Sequence, residues 1–300
     1  MTLVLVAEQT EHWRIGDVGL TAIVEAETSG IPPQLFFPDI VADDVTTVDW
    51  LSDGAASTDG RIAFRVQAFV VETGGQVLLV DPCVGNAKQR GLPFWNELQL
   101  PWLERFTAAG FDPDNVDLVV HTHLHEDHIG WDTHRRDGEW VPTFANARHV
   151  YVGDELDYAV RADRRTEDDP YADSIAPILD AGLGDIVGAD ATLADGVRLV
   201  STPGHTPGHV AVAFDTSGDP LVISGDLLHH QVQLANPRIA EIADWDVELA
   251  RQTRSAFFSE HARAGSIVAG THFAIAPVGR IERNGAAWRF RVEAGSVDRP

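Results

Sequence analysis

The feature that most constrains this 300-residue chain is a short apolar run that ends in a cluster of histidines. Residues 118–120 have the character of a buried strand, and residues 121–130 follow directly with four histidines and two acids. Neutral imidazole and carboxylate are the usual nitrogen and oxygen ligands of zinc and its divalent neighbours. Polar groups packed at a buried strand end cost free energy unless something satisfies them, and a metal ion would do so. The pattern H-x-H-x-D-H within this stretch is formed by His123, His125, Asp127 and His128.

Three further candidate ligands follow the ends of other predicted apolar strands, as the first cluster does. Ligands that different strands place at the same edge of a sheet are able to converge on one site. A surface tract that binds stray metal is the alternative for the first cluster alone, but it does not account for the repeated placement. The three candidates are His205 after residues 197–201, Asp226 after residues 221–223 and His272 after residues 266–269.

The charge balance disfavours several classes of partner. The chain has 22 basic and 46 acidic residues, which give a formal net charge of −24 at pH 7. Affinity for nucleic acid and for anionic membranes depends on cationic side chains. We therefore expect neither as a partner, and we expect a small-molecule substrate instead.

Sequence signals for export and membrane insertion are missing. The first residues lack a basic region followed by a long apolar segment, and no stretch approaches the ~18 apolar residues that a spanning helix needs. The single cysteine, Cys83, has no second cysteine with which to form an intramolecular disulfide. Together these observations predict a cytoplasmic protein.

One continuous domain over residues 1–300 is the simplest interpretation, because we find no internal repeat and no low-complexity linker. Strand-like runs mixed with helical spacing indicate an α/β protein. Apolar spacing predicts one helix over residues 94–109 and another over residues 246–261. Residues 28–60 interrupt the strand rhythm, and we interpret them as an N-terminal extension or insertion. This segment covers a pocket, contacts a partner subunit in a homodimer, or packs as a loop on the protein's own surface.

The order of these motifs resembles that of the metallo-β-lactamase-fold hydrolases. The matching elements are the H-x-H-x-D-H motif, a Thr-Pro-Gly-His loop ending at His205, a Gly-Asp pair ending at Asp226 and a Gly-Thr-His segment ending at His272. Asp81 matches the acid that follows the family's first strand. The resemblance implies an α/β fold built as a four-layer αββα sandwich, with the site at one sheet edge.

The same resemblance implies two divalent metal ions. Zinc is the first choice, and manganese, iron or cobalt are also compatible with such ligands. A carboxylate shared by both ions offsets their mutual repulsion, and the family implies this role for Asp226. His121 and Glu126 lie within the histidine cluster but outside the implied ligand set. The other implied ligands are His123, His125 and His205 for one ion, and Asp127, His128 and His272 for the second.

In pattern, the chain is most similar to the branch that contains methyl parathion hydrolase and the acyl-homoserine lactonases. This branch implies a hydrolase in which a hydroxide bridging the two ions attacks an ester, lactone or organophosphate. Asp127 would orient this nucleophile or accept its proton. His229 stands where the lactonases carry a tyrosine that assists the substrate carbonyl, so we predict that it donates to the developing oxyanion; a structural histidine is the alternative. Candidates for the pocket wall are Phe36, Phe37, Trp131 and Phe273.

Other functions on the same fold are alternatives. A glutathione thioester hydrolase would need a basic patch for the substrate's carboxylates, and we find no clear one in this acidic chain. A sulfur dioxygenase would use a single iron. A non-catalytic metal-binding protein is a further alternative, although proteins that abandon the chemistry typically lose ligands, and all seven are present here.

Overall fold

The computed structural model describes residues 10–51, 54–161 and 169–295. A seven-stranded sheet has the spatial order β1-β2-β3-β4-β5-β8-β9, and β6 and β7 form a separate two-stranded ribbon. The strands are β1 (Thr10–Ile15), β2 (Val18–Ile31), β3 (Ile62–Thr73), β4 (Gln76–Val80), β5 (Leu118–Val120), β6 (Thr133–Arg136), β7 (Glu139–Pro142), β8 (Arg148–Val152) and β9 (Gly184–Val187).

A second seven-stranded sheet follows the order of the chain. All of its neighbouring strands pair antiparallel except β13 and β14, which are parallel. Its strands are β10 (Thr192–Ala194), β11 (Val197–Ser201), β12 (Val210–Phe214), β13 (Leu221–Ile223), β14 (Ile267–Ala269), β15 (Val278–Asn284) and β16 (Ala287–Val292).

The helices are short except for the last one. That helix is capped at both ends, because the Asp246 side chain accepts a hydrogen bond from the Leu249 N–H and Gly265 ends it in the left-handed conformation. The α-helices are α1 (Ala42–Thr46), α2 (Trp102–Ala108), α3 (Gly153–Arg161), α4 (Ala176–Asp180), α5 (Val232–Ala235) and α6 (Val247–Ala264). None of the helices in the described residues combines the length and apolarity that a membrane span requires.

The two sheets pack face to face, with helices on both outer surfaces. In β5, Leu118 and Val120 point into the layer between the sheets, while Val119 points outward. This two-sided burial explains why the strand is apolar throughout. On the outer surface of the first sheet lies α2, and on that of the second sheet lies α6. The predicted four-layer αββα sandwich is confirmed.

Strand direction brings the candidate ligand loops to one edge of each sheet. In the first sheet β4, β5 and β8 are parallel. In the second sheet β11, β13 and β14 run in the same direction, because β12 lies antiparallel between β11 and β13. Within each sheet, the loops that follow these strands therefore begin at the same edge. In the first sheet they follow β4 and β5, and in the second sheet they follow β11, β13 and β14.

The predicted helix over residues 94–109 is wrong in its first half. The structure has turns over residues 93–97 and irregular backbone over residues 98–100, and α2 begins only after Pro101. Proline has no N–H to donate and is tolerated in the first turn of a helix rather than its interior. Glu97 also has a positive φ of 50°, which no α-helix accommodates. Trp95 is nonetheless buried, as its place in the apolar pattern indicated.

Residues 28–60 form the end of one strand and a segment that packs on the body of the protein. Residues 28–31 complete β2. Most of the described apolar residues after them pack on the outer face of the first sheet, while Trp50 packs on that of the second. Phe37, Ile40 and Val45 are buried in that apolar cluster. The segment therefore packs on the protein's own core. Its relation to a partner subunit stays a prediction.

Replacement of Trp102 by alanine should destabilise the fold. The indole is fully buried, stacks on Trp131 with 5.3 Å between ring centroids, and donates to the Ile23 carbonyl. Loss of such a side chain typically costs about 3–5 kcal/mol. Denaturant unfolding of Trp102→Ala should show this loss. Ile186→Ala, at a residue 59% exposed, should change stability by less than ~0.5 kcal/mol, and equal losses in the two variants would contradict the assigned core.

Candidate metal centre

Imidazole rings from four loops converge on the carboxylate of Asp226. Five histidines place Nε2 within 3.6 Å of an Asp226 oxygen. The carboxylate itself is only 3% exposed. The Nε2 distances to the nearer oxygen are 3.6 Å for His123, 3.2 Å for His128, 3.6 Å for His205, 3.1 Å for His229 and 3.0 Å for His272.

Three of these rings share a second property, which is an oxygen atom hydrogen-bonded to Nδ1. Such a partner holds the proton on Nδ1 and leaves the Nε2 lone pair free, as in metal-ligating histidines. The Nδ1 partners are Thr122 Oγ1 at 3.1 Å for His123, Asp244 Oδ1 at 3.2 Å for His205 and the Arg65 carbonyl at 2.8 Å for His272. For His128, an Asp81 oxygen lies 3.0 Å from Nδ1 as an ion-pair partner.

The predicted ligands form two groups, with Asp226 beside both. His123, His125, His205 and Asp226 offer ligand atoms that all lie within 4.8 Å of one another. Asp127, His128 and His272 do the same. The structure thus brings together all seven predicted ligand side chains, and these two groups match the division that the family resemblance implied.

Asp81 organises the loop that carries the H-x-H-x-D-H motif. Its carboxylate accepts hydrogen bonds from the Thr122 N–H and hydroxyl, both at 2.8 Å, and also faces His128. One side chain at the end of β4 therefore fixes the start of the neighbouring loop and forms an ion pair with one of its rings.

His209 and Gly225 fix the backbone around Asp226. The Asp226 N–H donates to His209 Nε2 at 3.0 Å. Gly225 has a φ of 52°, and a Cβ there would lie 2.7 Å from both His209 and Thr122, so only glycine fits. The motif pattern gave no support for a role of His209, and the structure shows it as a positioning residue. Asp244 and the Arg65 carbonyl carried no sequence signal either, because Asp244 lies outside the motifs and Arg65 contributes its backbone.

Burial and neighbouring charges give the histidines of the cluster different protonation states. Burial, reinforced by the neighbouring imidazoles, holds the pKa values of His123, His125 and His205 well below the ordinary value. Burial also acts to lower the pKa of His128, but Asp226, Asp127 and Asp81 outweigh it and raise that pKa well above the usual range. Three rings are therefore neutral, which is the form that binds a metal ion.

The donor set fits divalent cations. His123 Nε2 and Asp226 Oδ1 are buried and find no hydrogen-bond partner in the part of the chain that the structure describes. Unpaired buried polar atoms are costly, and both belong to the predicted ligand set. Five imidazoles and two carboxylates also make a ligand set suited to zinc and other divalent transition metals.

A cavity of about 770 Å³ opens beside the centre. Of the four aromatic residues predicted for its wall, only Phe36 is there; Phe37, Trp131 and Phe273 pack in the apolar clusters. Among the described residues that line the cavity, none is lysine or arginine. Its apolar wall is formed by Leu35, Phe36, Phe64, Leu92, Phe94, Trp95, Leu124, Tyr158, Ala159, Tyr171, Ile175, Ile242 and Ala243.

The structure places the two bystanders of the histidine cluster in different surroundings. His121 is buried away from Asp226 and forms hydrogen bonds to the Val150 carbonyl and to Asp132. Asp132 also bonds His149 and Tyr151, so this is a structural polar network. Glu126 faces the cavity and belongs to neither ligand group.

The family assignment follows from a comparison with protein-family models. The model for the metallo-beta-lactamase superfamily matches residues 61–262, about two thirds of the chain. The chain belongs to the metallo-beta-lactamase superfamily. This confirms the resemblance carried by the motifs.

Curated relatives are similar over only part of their length. An N-acyl homoserine lactonase from Bacillus sp. is 26% identical over 143 residues, which are 47% of this chain and 50% of the relative. The lactonase AttM of Agrobacterium fabrum is 32% identical over 36% of this chain and 39% of its own length. A probable metallo-hydrolase of Mycobacterium tuberculosis is 29% identical over 57% of this chain and 59% of its own length. The chain thus spans about half the length of the curated relatives that it matches.

Solved structures support the fold over nearly the whole chain. The hydrolase AbOPH is 24% identical, with a TM-score of 0.78 and coverage of 97% of this chain and 99% of that one. AidC, a dizinc quorum-quenching lactonase, is 19% identical, with a TM-score of 0.79 and coverage of 96% and 99%. At these identities the likeness establishes the architecture, including its N-terminal strands.

Removal of bound metal should destabilise this superfamily member. Because a ligand held only by the folded state adds to the free energy of unfolding, a chelator should lower the melting temperature by several degrees, and Zn²⁺ should restore it. His123→Ala should show a much smaller chelator effect than the unmodified protein. His134→Ala, a histidine of β6 outside the ligand groups, is the matched control and should respond as the unmodified protein does. A melting temperature unaffected by chelator in metal-replete protein would contradict the site.

Proposed function

We propose that this protein is a binuclear metal-dependent hydrolase of neutral esters, lactones or organophosphates. The observation that carries the proposal is the convergence of five Nε2 atoms on Asp226, with the Nδ1 atoms of His123, His205 and His272 held by oxygens. His123, His125 and His205 would hold one ion, Asp127, His128 and His272 the other, and Asp226 both. Bound divalent ions would lower the pKa of a coordinated water towards 7 and polarise the substrate oxygen.

Asp127 is the side chain that would orient the attacking water. Its two oxygens lie 3.5 Å from His128 Nε2 and 3.5 Å from His272 Nε2, and the residue lines the cavity. A carboxylate in this place is able to accept the proton that the nucleophile loses.

His229 is the side chain that would stabilise the developing oxyanion. It lines the cavity and presents Nε2 to Asp226 at 3.1 Å. Burial acts to lower the pKa of His229, but Asp226 and Glu241 outweigh it and raise that pKa to about 9. An imidazole N–H that borders the cavity is a suitable donor to an oxyanion.

The charge of the cavity wall favours a neutral substrate. Besides the proposed ligands it carries Glu126, Glu155, Asp169 and Glu241, and the described lining has no cationic residue other than histidine. A substrate with free carboxylates, such as a glutathione thioester, would face like charges without a counterion. The apolar wall suits an acyl or aryl group. The names of the curated lactonases support the lactone within this class.

A substrate panel on protein of measured metal content tests the proposal. Neutral lactones, aryl esters and phosphotriesters should include at least one good substrate. Anionic β-lactams and glutathione thioesters should react at least ~10-fold more slowly, which corresponds to about 1.4 kcal/mol. Protein that carries iron alone and oxidises persulfides would support a sulfur dioxygenase instead, and protein that takes up no divalent metal would support a non-catalytic function.

Replacement of His229 by alanine should lower kcat by roughly 10²–10³-fold, the typical cost of losing one oxyanion donor. Metal content should stay the same, because His229 is outside the proposed ligand set. Steady-state kinetics with the best neutral substrate and elemental analysis measure the two effects. His230→Ala is the matched control, since the neighbouring ring is also buried but bonds to the Ala55 carbonyl instead of Asp226. Unchanged turnover in His229→Ala would leave His229 a structural role only.

Two further parts of the proposal concern the substrate and the oligomeric state. The substrate is a small molecule, in keeping with a cavity of about 770 Å³ and a strongly acidic chain. Homodimer formation involving residues 28–60 stays a prediction, for which the oligomeric state in solution is the measurement.

A further inference from the structure

Glu155 is a buried carboxylate that has no place in the proposed ligand set. It belongs to the first turn of α3 and is 2% exposed. Its Oε1 accepts a hydrogen bond from the Leu124 N–H at 3.2 Å, and its Oε2 accepts one from the Gly208 N–H at 3.0 Å. One side chain therefore bonds to two separate segments of backbone.

Both of these segments carry proposed metal ligands. Leu124 lies between His123 and His125 in the loop after β5, and Gly208 lies three residues after His205 in the loop after β11. Since β5 belongs to the first sheet and β11 to the second, Glu155 links ligand loops from the two halves of the sandwich.

Close backbone packing reinforces this link. A Cβ at position 208 would lie 2.5 Å from the Glu155 nitrogen and 2.8 Å from its Cα. The Thr-Pro-Gly-His loop thus rests directly on the beginning of α3, and only glycine allows that approach. Near the linked segments, His125 Nδ1 and His205 Nε2 lie 3.0 Å apart.

We propose that Glu155 is a positioning residue that sets the separation of His125 and His205. Through this separation it sets the affinity for the metal ion that His123, His125 and His205 would hold. This inference rests on the proposed function, because it assumes that these two histidines bind one ion. A carboxylate that accepts two backbone N–H groups fixes the distance between them. Without it, two buried donors lose their partner, and the loops move to satisfy them.

Three variants separate this role from general stability. Glu155→Gln keeps the size of the side chain but turns an amide NH₂ towards a backbone N–H. Gly208→Ala disturbs the same contact from the other side, without a change of charge. Glu25→Gln is the matched control. Glu25 is likewise buried and accepts from the Trp131 indole and from the backbone N–H groups of Val84 and Gly85, in a loop that carries none of the seven proposed ligands.

Titration of metal-free protein with Co²⁺, followed by its visible absorption, is the measurement. Glu155→Gln and Gly208→Ala should each weaken one of two Co²⁺ sites roughly 10–100-fold, the usual effect of a lost outer-shell partner, and should change that site's absorption. Glu25→Gln should lower the melting temperature of the metal-free protein and leave both Co²⁺ sites unchanged.

The possible outcomes separate a failure of the proposed Glu155 role from a failure of the proposed function. If the unmodified protein binds no Co²⁺, the proposed function fails and the inference with it. If the unmodified protein binds two ions and Glu155→Gln titrates as Glu25→Gln does, Glu155 is structural and only the inference fails. Should Glu155→Gln not fold, Gly208→Ala decides on the same criterion.

Discussion

A single buried carboxylate, that of Asp226, is the group on which the rest of the site depends. Burial favours its neutral form, but the surrounding histidines, led by His128, hold the pKa of Asp226 well below its ordinary value. An ionised carboxylate this deep in a protein is costly unless it is paired. The pairing comes from rings that both sheets deliver, so the carboxyl ends of the central strands must meet at one place. The sandwich architecture can be understood as the frame that satisfies this requirement.

How far the sequence predicts such a site depends on which atoms are involved. The convergence of the seven proposed ligand side chains was predictable, since each is a chemically distinctive residue in a short motif just past a strand end. Asp244 and the Arg65 carbonyl were not, because an isolated acid and a backbone oxygen have no sequence signature. The helix over residues 94–109 failed for a related reason: apolar spacing reports burial, and Trp95 is buried within a turn. The layer order was accessible because continuous apolar strands such as β5 imply cover on both faces.

The residues of the cavity wall could not be predicted from the sequence pattern alone. Four aromatic residues were equally plausible wall candidates by composition, and the structure places only Phe36 there. Its ring stacks on Phe64 at 4.4 Å between centroids, and Phe64 stacks on His272 at 4.3 Å. The N-terminal segment thereby reaches the metal centre through two rings. Changes in that segment are therefore able to alter both the shape of the cavity and the support of a ligand.

The distribution of the ligands along the chain has a consequence for folding. His125 and His205 are 80 residues apart, and His128 and His272 are 144 apart. An ion bound by such pairs closes a long loop in the same way as a covalent crosslink, which limits the freedom of the unfolded chain. With one cysteine, this protein has no disulfide of its own to do so. In the proposed holoenzyme, the catalytic ions would also be the crosslinks that join the two sheets into one cooperative unit.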